Sequence, residues 1–368
     1  MGAGMRNTQS QNLGGLGMRA LCAVIIIALS ACAPRPGGET LTVVPAAQPT
    51  GKSVAITVAS TRGREAETGD YTDARAHQMN FERFTIAIPP SHEASRIEWP
   101  EEEPDPSRSF AVTAREPLSA LDIQRGAGGR QDVMVFVHGY NQTFPESLFR
   151  LAQVAVDGDL PEQPILFAWP SAGTVVGYVA DKDAAAYSRD ELAAVLSTLA
   201  ADPDVGKITL FGHSMGGWLV AETLRQLRLS GKDAVIERLS DVVLAAPDID
   251  VDVFRKQIEV IGPLEPPMAI LVAPDDRALR ISAGLAGARP RVGRTNASTP
   301  AVQALAKKNG VQLVDISGIG AVDGTHHNRF ASLVQLIPEQ RDGLTQTRAQ
   351  VGAFILDPVS ATLVALSR

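Results

Sequence analysis

Residues 208–217 of this chain, ITLFGHSMGG, combine an apolar segment, a glycine-flanked serine and the start of an amphipathic segment. This order predicts a buried strand, a tight turn at Ser214 and a helix that begins at Met215. A serine on such a bend adopts a strained backbone, and side chains two residues away on either side would crowd it, which explains Gly212 and Gly216. The N–H groups of the helix point towards the turn and favour negative charge there. The stretch therefore predicts a nucleophilic serine.

Short apolar segments alternate with longer amphipathic ones after residue 130, a pattern typical of successive strand–helix units. The predicted strands are 54–60, 83–88, 110–113, 132–137, 165–168, 207–211, 241–245, 268–272 and 312–316. The predicted helices are 144–155, 183–201, 215–229, 251–259, 300–308 and 328–336. We expect an α/β fold with a mostly parallel central sheet of about eight strands and helices on both faces.

The loop after the strand 132–137 carries His138, Gly139, Tyr140 and Asn141. In parallel sheets the active groups collect beyond the carboxyl ends of the strands, so this loop and the serine turn are expected to meet. The backbone N–H of Tyr140 would then act with that of Met215 to hold a developing oxyanion.

A candidate acid follows the strand 268–272, where Asp275 and Asp276 stand side by side. Either carboxylate is chemically suited to orient a catalytic histidine, and either is also a good helix N-cap. Asp248, which follows the strand 241–245, is a reserve candidate for the same role.

A candidate general base follows the strand 312–316, where a glycine-bearing loop ends in His326 and His327. The order serine, acid, histidine along the chain is the one that α/β-hydrolases use. The residues alone leave the choice of aspartate and of histidine open. A metal site formed by the two adjacent histidines with Asp323 is disfavoured, because neighbouring residues on one loop rarely converge on one ion.

At eight places the chain resembles the α/β-hydrolase family known as domain of unknown function 900. The matching segments are VASTR (58–62), IAIPP (86–90), FVHGYN (136–141), FAWPS (167–171), GHSMG (212–216), APDID (246–250), DRAL (276–279) and HNRF (327–330). The resemblance implies an esterase- or lipase-like enzyme. It also selects Asp276, which directly precedes Arg-Ala-Leu, and His327, although Arg329 stands where the family usually carries an aromatic residue.

The N-terminal segment has the features of an export signal, since Arg6 and Arg19 precede an apolar run at 20–29 that is too short to span a bilayer. The run ends in LSAC (29–32), which resembles the bacterial lipobox. We therefore expect a signal peptide at 1–31 and acylation of Cys32. Ala33 in place of aspartate favours the outer membrane, facing the periplasm. A simple cleaved signal and an uncleaved anchor are the alternatives.

The expected organisation continues with a flexible tether at 32–52, a catalytic domain at 53–343 and a C-terminal helical segment at 344–368 that packs on or trails the domain. The only cysteines are Cys22 and Cys32, so the mature domain has no disulfide framework. The chain has a net charge of −7 and no basic stripe, which disfavours nucleic-acid binding.

These features predict a membrane-anchored serine hydrolase that cleaves small acyl esters through an acyl-enzyme on Ser214, with neither cofactor nor metal. Thioesterase, amidase and acyltransferase activities would use the same three residues. A non-catalytic envelope lipoprotein that keeps the fold as a binding scaffold is the alternative from another class.

Overall fold

The computed structural model describes residues 35–44, 51–124, 129–321 and 323–334, and the fold is that of the unit that begins at Gly37. Three predictions from the sequence lie outside the described residues: the signal peptide at 1–31, the acylated Cys32 and the C-terminal helical segment at 344–368.

The segment 37–44 contacts the domain, although the sequence assigns it to a flexible tether. It contains a short 3-10 helix, Gly38–Leu41, in which the side chain of Leu41 is buried in the apolar core. The N–H of Val44 donates a hydrogen bond to the carbonyl of Val112. Burial of the leucine and this backbone hydrogen bond hold residues 37–44 in place.

The described residues form one sheet of nine strands, in the order β3-β2-β1-β5-β4-β6-β7-β8-β9. The strands are β1 (Ser53–Arg64), β2 (Tyr71–Ala87), β3 (Ala111–Leu118), β4 (Gln131–Val137), β5 (Gln163–Ala168), β6 (Val205–His213), β7 (Leu239–Ala245), β8 (Met268–Val272) and β9 (Val311–Asp315). Strand β2 is antiparallel to both of its neighbours, and all other adjacent pairs are parallel. The predicted α/β fold with a mostly parallel sheet is confirmed, with nine described strands against the expected eight or so.

Helices cover both faces of the sheet. The helices are α1 (Phe144–Asp157), α2 (Tyr178–Tyr187), α3 (Arg189–Ala201), α4 (Met215–Leu229), α5 (Asp233–Glu237), α6 (Val251–Ile261), α7 (Arg277–Leu285), α8 (Pro300–Lys308) and α9 (Arg329–Leu333). Leucines of α3 and α4 pack on one face, together with apolar residues of α6, and aromatic residues of α1 and α9 pack on the other.

Strand β4 shows why the core has two halves. Its side chains alternate between the faces, as in any strand: Val133 and Val135 join the core beneath α3 and α4, whereas Met134 and Phe136 join the core beneath α1. Because both faces are covered, the strand is apolar throughout its buried part instead of alternating with polar residues.

Two predicted elements depart most from the observed ones, and several others, such as β1 and β3, differ by up to five residues at one end. The helix expected at 183–201 is two helices, α2 and α3, separated at Ser188, whose buried hydroxyl bonds to Thr61 Oγ1 and to the Ala184 carbonyl. Strand β2 begins at Tyr71, twelve residues before the predicted 83, and pairs with β1 along most of its length. The polar first half of β2 lacks the apolar alternation that predicts a strand.

The parallel strands β4, β6, β8 and β9 end at the same edge of the sheet, so the loops that follow them lie close together. Among the described residues, no helix is both long enough and apolar enough to cross a membrane.

Candidate active site

The turn between β6 and α4 has the strained backbone that the sequence predicts. Ser214 has φ 55° and ψ −119°, a conformation that side-chain-bearing residues rarely adopt, and Met215 begins α4 directly after it. A methyl group on Gly212 would lie 2.8 Å from the Gly217 Cα, and one on Gly216 would overlap the carbonyl oxygens at the end of β4. The strand, turn and helix are thus packed too closely for any side chain at these two positions.

Asp276 makes both of the contacts that the sequence leaves open for an aspartate in this loop, one with a helix start and one with a histidine. Its side chain is completely buried at the end of β8. One carboxylate oxygen caps α7 by accepting the N–H of Leu279 at 2.9 Å, and the other lies 2.7 Å from Nδ1 of His327. The helix cap thus holds the carboxylate in the orientation in which it binds the imidazole.

Asp275 has different partners. Its carboxylate accepts two hydrogen bonds from the guanidinium of Arg329, at 2.6 and 2.7 Å, and lies 3.0 Å from Nδ1 of His326. The side chain of Asp275 is 46% exposed. The hydrogen bonds from Arg329 hold the pKa of Asp275 well below its usual range. The arginine that replaces the usual aromatic residue therefore pairs with the neighbour of the candidate acid.

His327 lies on the loop after β9 with its side chain 13% exposed. Burial disfavours its charged form, but the hydrogen bond and the charge of Asp276 outweigh burial and raise the pKa of His327 above 6.5. When the Nδ1–H group donates a hydrogen bond to Asp276, Nε2 of the neutral ring is left as an acceptor. This is the tautomer that a general base for a serine requires.

Asp323 fixes the backbone around His327. One of its carboxylate oxygens accepts the N–H of His327 and the other accepts the N–H of Asn328, both at 3.1 Å. From the sequence, Asp323 was a candidate only as a metal ligand, and this backbone-binding role was not predicted. The signal was present, since aspartate just before a glycine often binds backbone N–H groups of the turn that follows.

The loops after β6 and β9 meet through His213, the residue before Ser214. The ring centroids of His213 and His327 are 4.7 Å apart, and Nε2 of His213 lies 3.4 Å from the carbonyl oxygen of His327. Burial lowers the pKa of His213 well below 6.5, so the ring is neutral at pH 7. The backbones of Ser214 and His327 are therefore joined by a single buried, uncharged side chain.

The loop after β4 lies against the serine turn. A methyl group on Gly139 would lie 2.9 Å from Cβ of Ser214, so Tyr140, the next residue, is also close to the turn. His138 is buried, stacks on Trp169 with ring centroids 4.8 Å apart, and has its pKa lowered to about 3, mainly by burial. The indole N–H of Trp169 donates to the His138 carbonyl at 2.8 Å. His138 thus anchors the loop as a neutral ring.

Asp248, the reserve acid, is bound elsewhere. Its carboxylate accepts the hydroxyl of Ser282 at 2.9 Å and pairs with the buried guanidinium of Arg291 at 3.2 Å. Its backbone N–H donates a hydrogen bond to the carbonyl of Ser214 at 3.1 Å, so the residue helps to fix the backbone of the serine turn. The structure therefore brings together the loops of Ser214, Asp276, His327 and Tyr140, and it assigns Asp248 to a separate ion pair.

Within the described ranges, no group of three or more histidine, cysteine, aspartate or glutamate side chains is arranged to hold a metal ion.

Comparison with known proteins gives one family match. The model of a family described as "Alpha/beta hydrolase of unknown function (DUF900)" matches residues 122–346. No curated protein matches the chain. Among solved structures, Est1E from Butyrivibrio proteoclasticus is similar over 72% of this chain and 96% of its own, with 12% identity and a TM-score of 0.35. An esterase from Pyrobaculum calidifontis is similar over 95% of this chain and 96% of its own, with 13% identity and a TM-score of 0.33.

The close packing at the serine turn predicts a severe effect of Gly216→Ala. The added methyl group would overlap backbone oxygens of Val137 and His138, which have no flexible end that can move away. We expect the free energy of unfolding to fall by about 1–3 kcal/mol, as measured by urea denaturation. Gly284→Ala is the matched control, because an added methyl on this exposed helical glycine of α7 meets nothing within 4 Å. It should raise stability by about 0.5–1 kcal/mol. Equal stability of the two variants would contradict the packing at the turn.

Proposed function

The chain belongs to the DUF900 family of alpha/beta hydrolases, and we propose that it is a serine hydrolase that cleaves carboxylic esters through an acyl-enzyme on Ser214. The observation that carries this proposal is the contact between His327 Nδ1 and the buried, helix-capping Asp276, at 2.7 Å, beside a strained serine turn. The substrate is a small acyl ester.

In the proposed reaction, Nε2 of His327 takes the proton of the Ser214 hydroxyl as the serine oxygen attacks the ester carbonyl carbon. The backbone N–H groups of Tyr140 and Met215 stabilise the negative charge on the carbonyl oxygen. Asp276 stabilises the imidazolium that forms. Collapse of the tetrahedral intermediate breaks the ester bond, and the leaving alcohol takes the proton from His327.

A water molecule completes the cycle. His327 removes one of its protons while the oxygen attacks the acyl carbon, and a second tetrahedral intermediate forms. This intermediate releases the carboxylic acid, and the proton on His327 returns to the Ser214 oxygen. Each proton thus moves between one imidazole nitrogen and a neighbouring oxygen.

The test of the proposal is labelling of the purified domain with a fluorophosphonate, together with hydrolysis of p-nitrophenyl esters of graded chain length. We expect the wild type to be labelled and Ser214→Ala not to be. His327→Ala and Asp276→Asn should lower kcat/KM by about 10³-fold or more, because the serine loses its base or the base loses its orienting charge. Asparagine remains a good N-cap, so the second variant keeps α7.

The neighbouring residues give matched controls for these variants. Asp275 binds both His326 and Arg329 at the partly exposed edge of the site, so Asp275→Asn and His326→Ala should change kcat/KM by less than about tenfold. Equal labelling of the wild type and Ser214→Ala would contradict the proposed nucleophile. Full activity of His327→Ala with loss in His326→Ala would reverse the assignment of the base.

We also propose that the enzyme is anchored to the cell envelope, in the outer membrane facing the periplasm, through acylated Cys32. The support is the sequence alone: two arginines before the apolar run 20–29, and LSAC directly after it.

Expression with a labelled fatty acid in a two-membrane bacterial host tests the anchor. The wild type should incorporate the fatty acid and sediment with outer membranes, and globomycin should block its processing. Cys32→Ser should abolish fatty-acid incorporation and sedimentation with outer membranes. The matched variant Cys22→Ser, inside the predicted signal peptide, should leave both of these properties unchanged. Lipid incorporation by Cys32→Ser at the wild-type level would overturn the assignment.

A further inference from the structure

A buried carboxylate on α2 holds the loop that supplies the proposed oxyanion donor. Asp181 lies in the first turn of α2 and is 1% exposed. Its carboxylate accepts the hydroxyl of Ser171 at 2.6 Å, the N–H of Ala172 at 2.7 Å and the N–H of Asn141 at 3.2 Å. Ser171 and Ala172 follow β5, and Asn141 follows β4, so one side chain ties two loops together.

The residue next to Tyr140 needs such support, because Asn141 has φ 58°, in the left-handed region. A non-glycine residue keeps this conformation only where its surroundings hold it there. The hydrogen bond from the Asn141 N–H to the Asp181 carboxylate is one of the contacts that stabilise this conformation.

The following peptide is fixed in a similar way. The N–H of Gln142 donates to the Ser171 hydroxyl at 3.2 Å, and its carbonyl accepts a hydrogen bond from the guanidinium of Arg62 at 3.0 Å. Arg62, Ser171 and Asp181 are all buried. Buried polar groups in contact select one arrangement, because any other leaves a polar group without a partner in a medium of low dielectric constant.

The partners of Asp181 lie in loops at the site, whereas other side chains of α2 pack in the apolar core. Tyr178, Ala184 and Ala185 of this helix belong to the core beneath it. Loss of the carboxylate should therefore loosen the loops more than it loosens the helix.

We propose that Asp181 is a positioning residue for the oxyanion hole, acting through the N–H of Asn141 and through Ser171 to fix the peptide that carries the Tyr140 N–H. The inference rests on the proposed function of Ser214. Because oxyanion donors contribute mainly in the transition state, Asp181 sets kcat and has little effect on the binding of the ground-state ester.

The test compares Asp181→Asn with Asp183→Asn, which removes an exposed carboxylate from the same helix. With p-nitrophenyl butyrate, and with kcat counted per fluorophosphonate-labelled serine, Asp181→Asn should lower kcat by about 100-fold, as expected for a misplaced donor. KM should change by less than about threefold. Asp183→Asn should keep the wild-type values.

A second variant and a second readout separate positioning from folding. Ser171→Ala, which breaks the link between Asp181 and Gln142, should show the same loss in kcat with little change in KM. A trifluoromethyl ketone, whose hemiketal oxygen occupies the oxyanion hole, should bind both variants more weakly in proportion to their loss in kcat/KM.

Three results would overturn the inference while the proposed function stands. The first is that kcat per labelled serine is the same in Asp181→Asn as in the wild type. The second is a lowered melting temperature with unchanged ketone affinity, which means that Asp181 supports only the fold. The third is an equal loss in Asp183→Asn. Failure of the proposed function is distinct from these, because the wild type itself would then show no labelling that depends on Ser214.

Discussion

The hydrogen bond between Nδ1 of His327 and the carboxylate of Asp276 is the contact on which the site depends. It joins two loops that are far apart in the sequence, and it is possible because β8 and β9 are parallel neighbours whose carboxyl ends share one edge of the sheet. The same carboxylate caps α7, so a single buried residue in the loop after β8 both holds the start of a helix and contacts the imidazole. The proposed chemistry therefore uses a group that the fold already holds in place.

Three histidines at this edge of the sheet differ in basicity because their partners differ. Burial lowers the pKa of both His138 and His213, whose ring nitrogens contact backbone carbonyl oxygens. Burial acts on His327 too, but the Asp276 carboxylate outweighs it and raises its pKa. Environment thus separates two neutral rings that support the loops from one basic ring suited to proton transfer.

Local patterns in the sequence were enough to predict most of the fold. The bounds of α4 and β8 match the predicted ones, since glycines lie near both ends of α4 and prolines near both ends of β8, where each apolar pattern stops. The resemblance to a family selects Asp276 and His327, the two side chains that lie in contact. Arg62 and Ser171 lie in segments that resemble the family, but nothing in the sequence predicts that they form a network with Asp181, because hydrogen bonds between residues far apart in sequence leave no local pattern. Helix α7 is not among the predicted helices, although either Asp275 or Asp276 was a candidate N-cap for a helix there, because the two aspartates were assigned mainly to the site.

Titration of His327 by NMR tests the central claim most directly, namely that Asp276 raises the pKa of this imidazole and orients it. The wild type and Asp276→Asn are labelled with ¹⁵N-histidine, and His327 is identified by its loss in His327→Ala. We predict a midpoint above 6.5 in the wild type, with the proton on Nδ1 in the neutral form, and a lower midpoint in Asp276→Asn, because the charge that raises the pKa is gone. The same midpoint in both proteins would contradict the account.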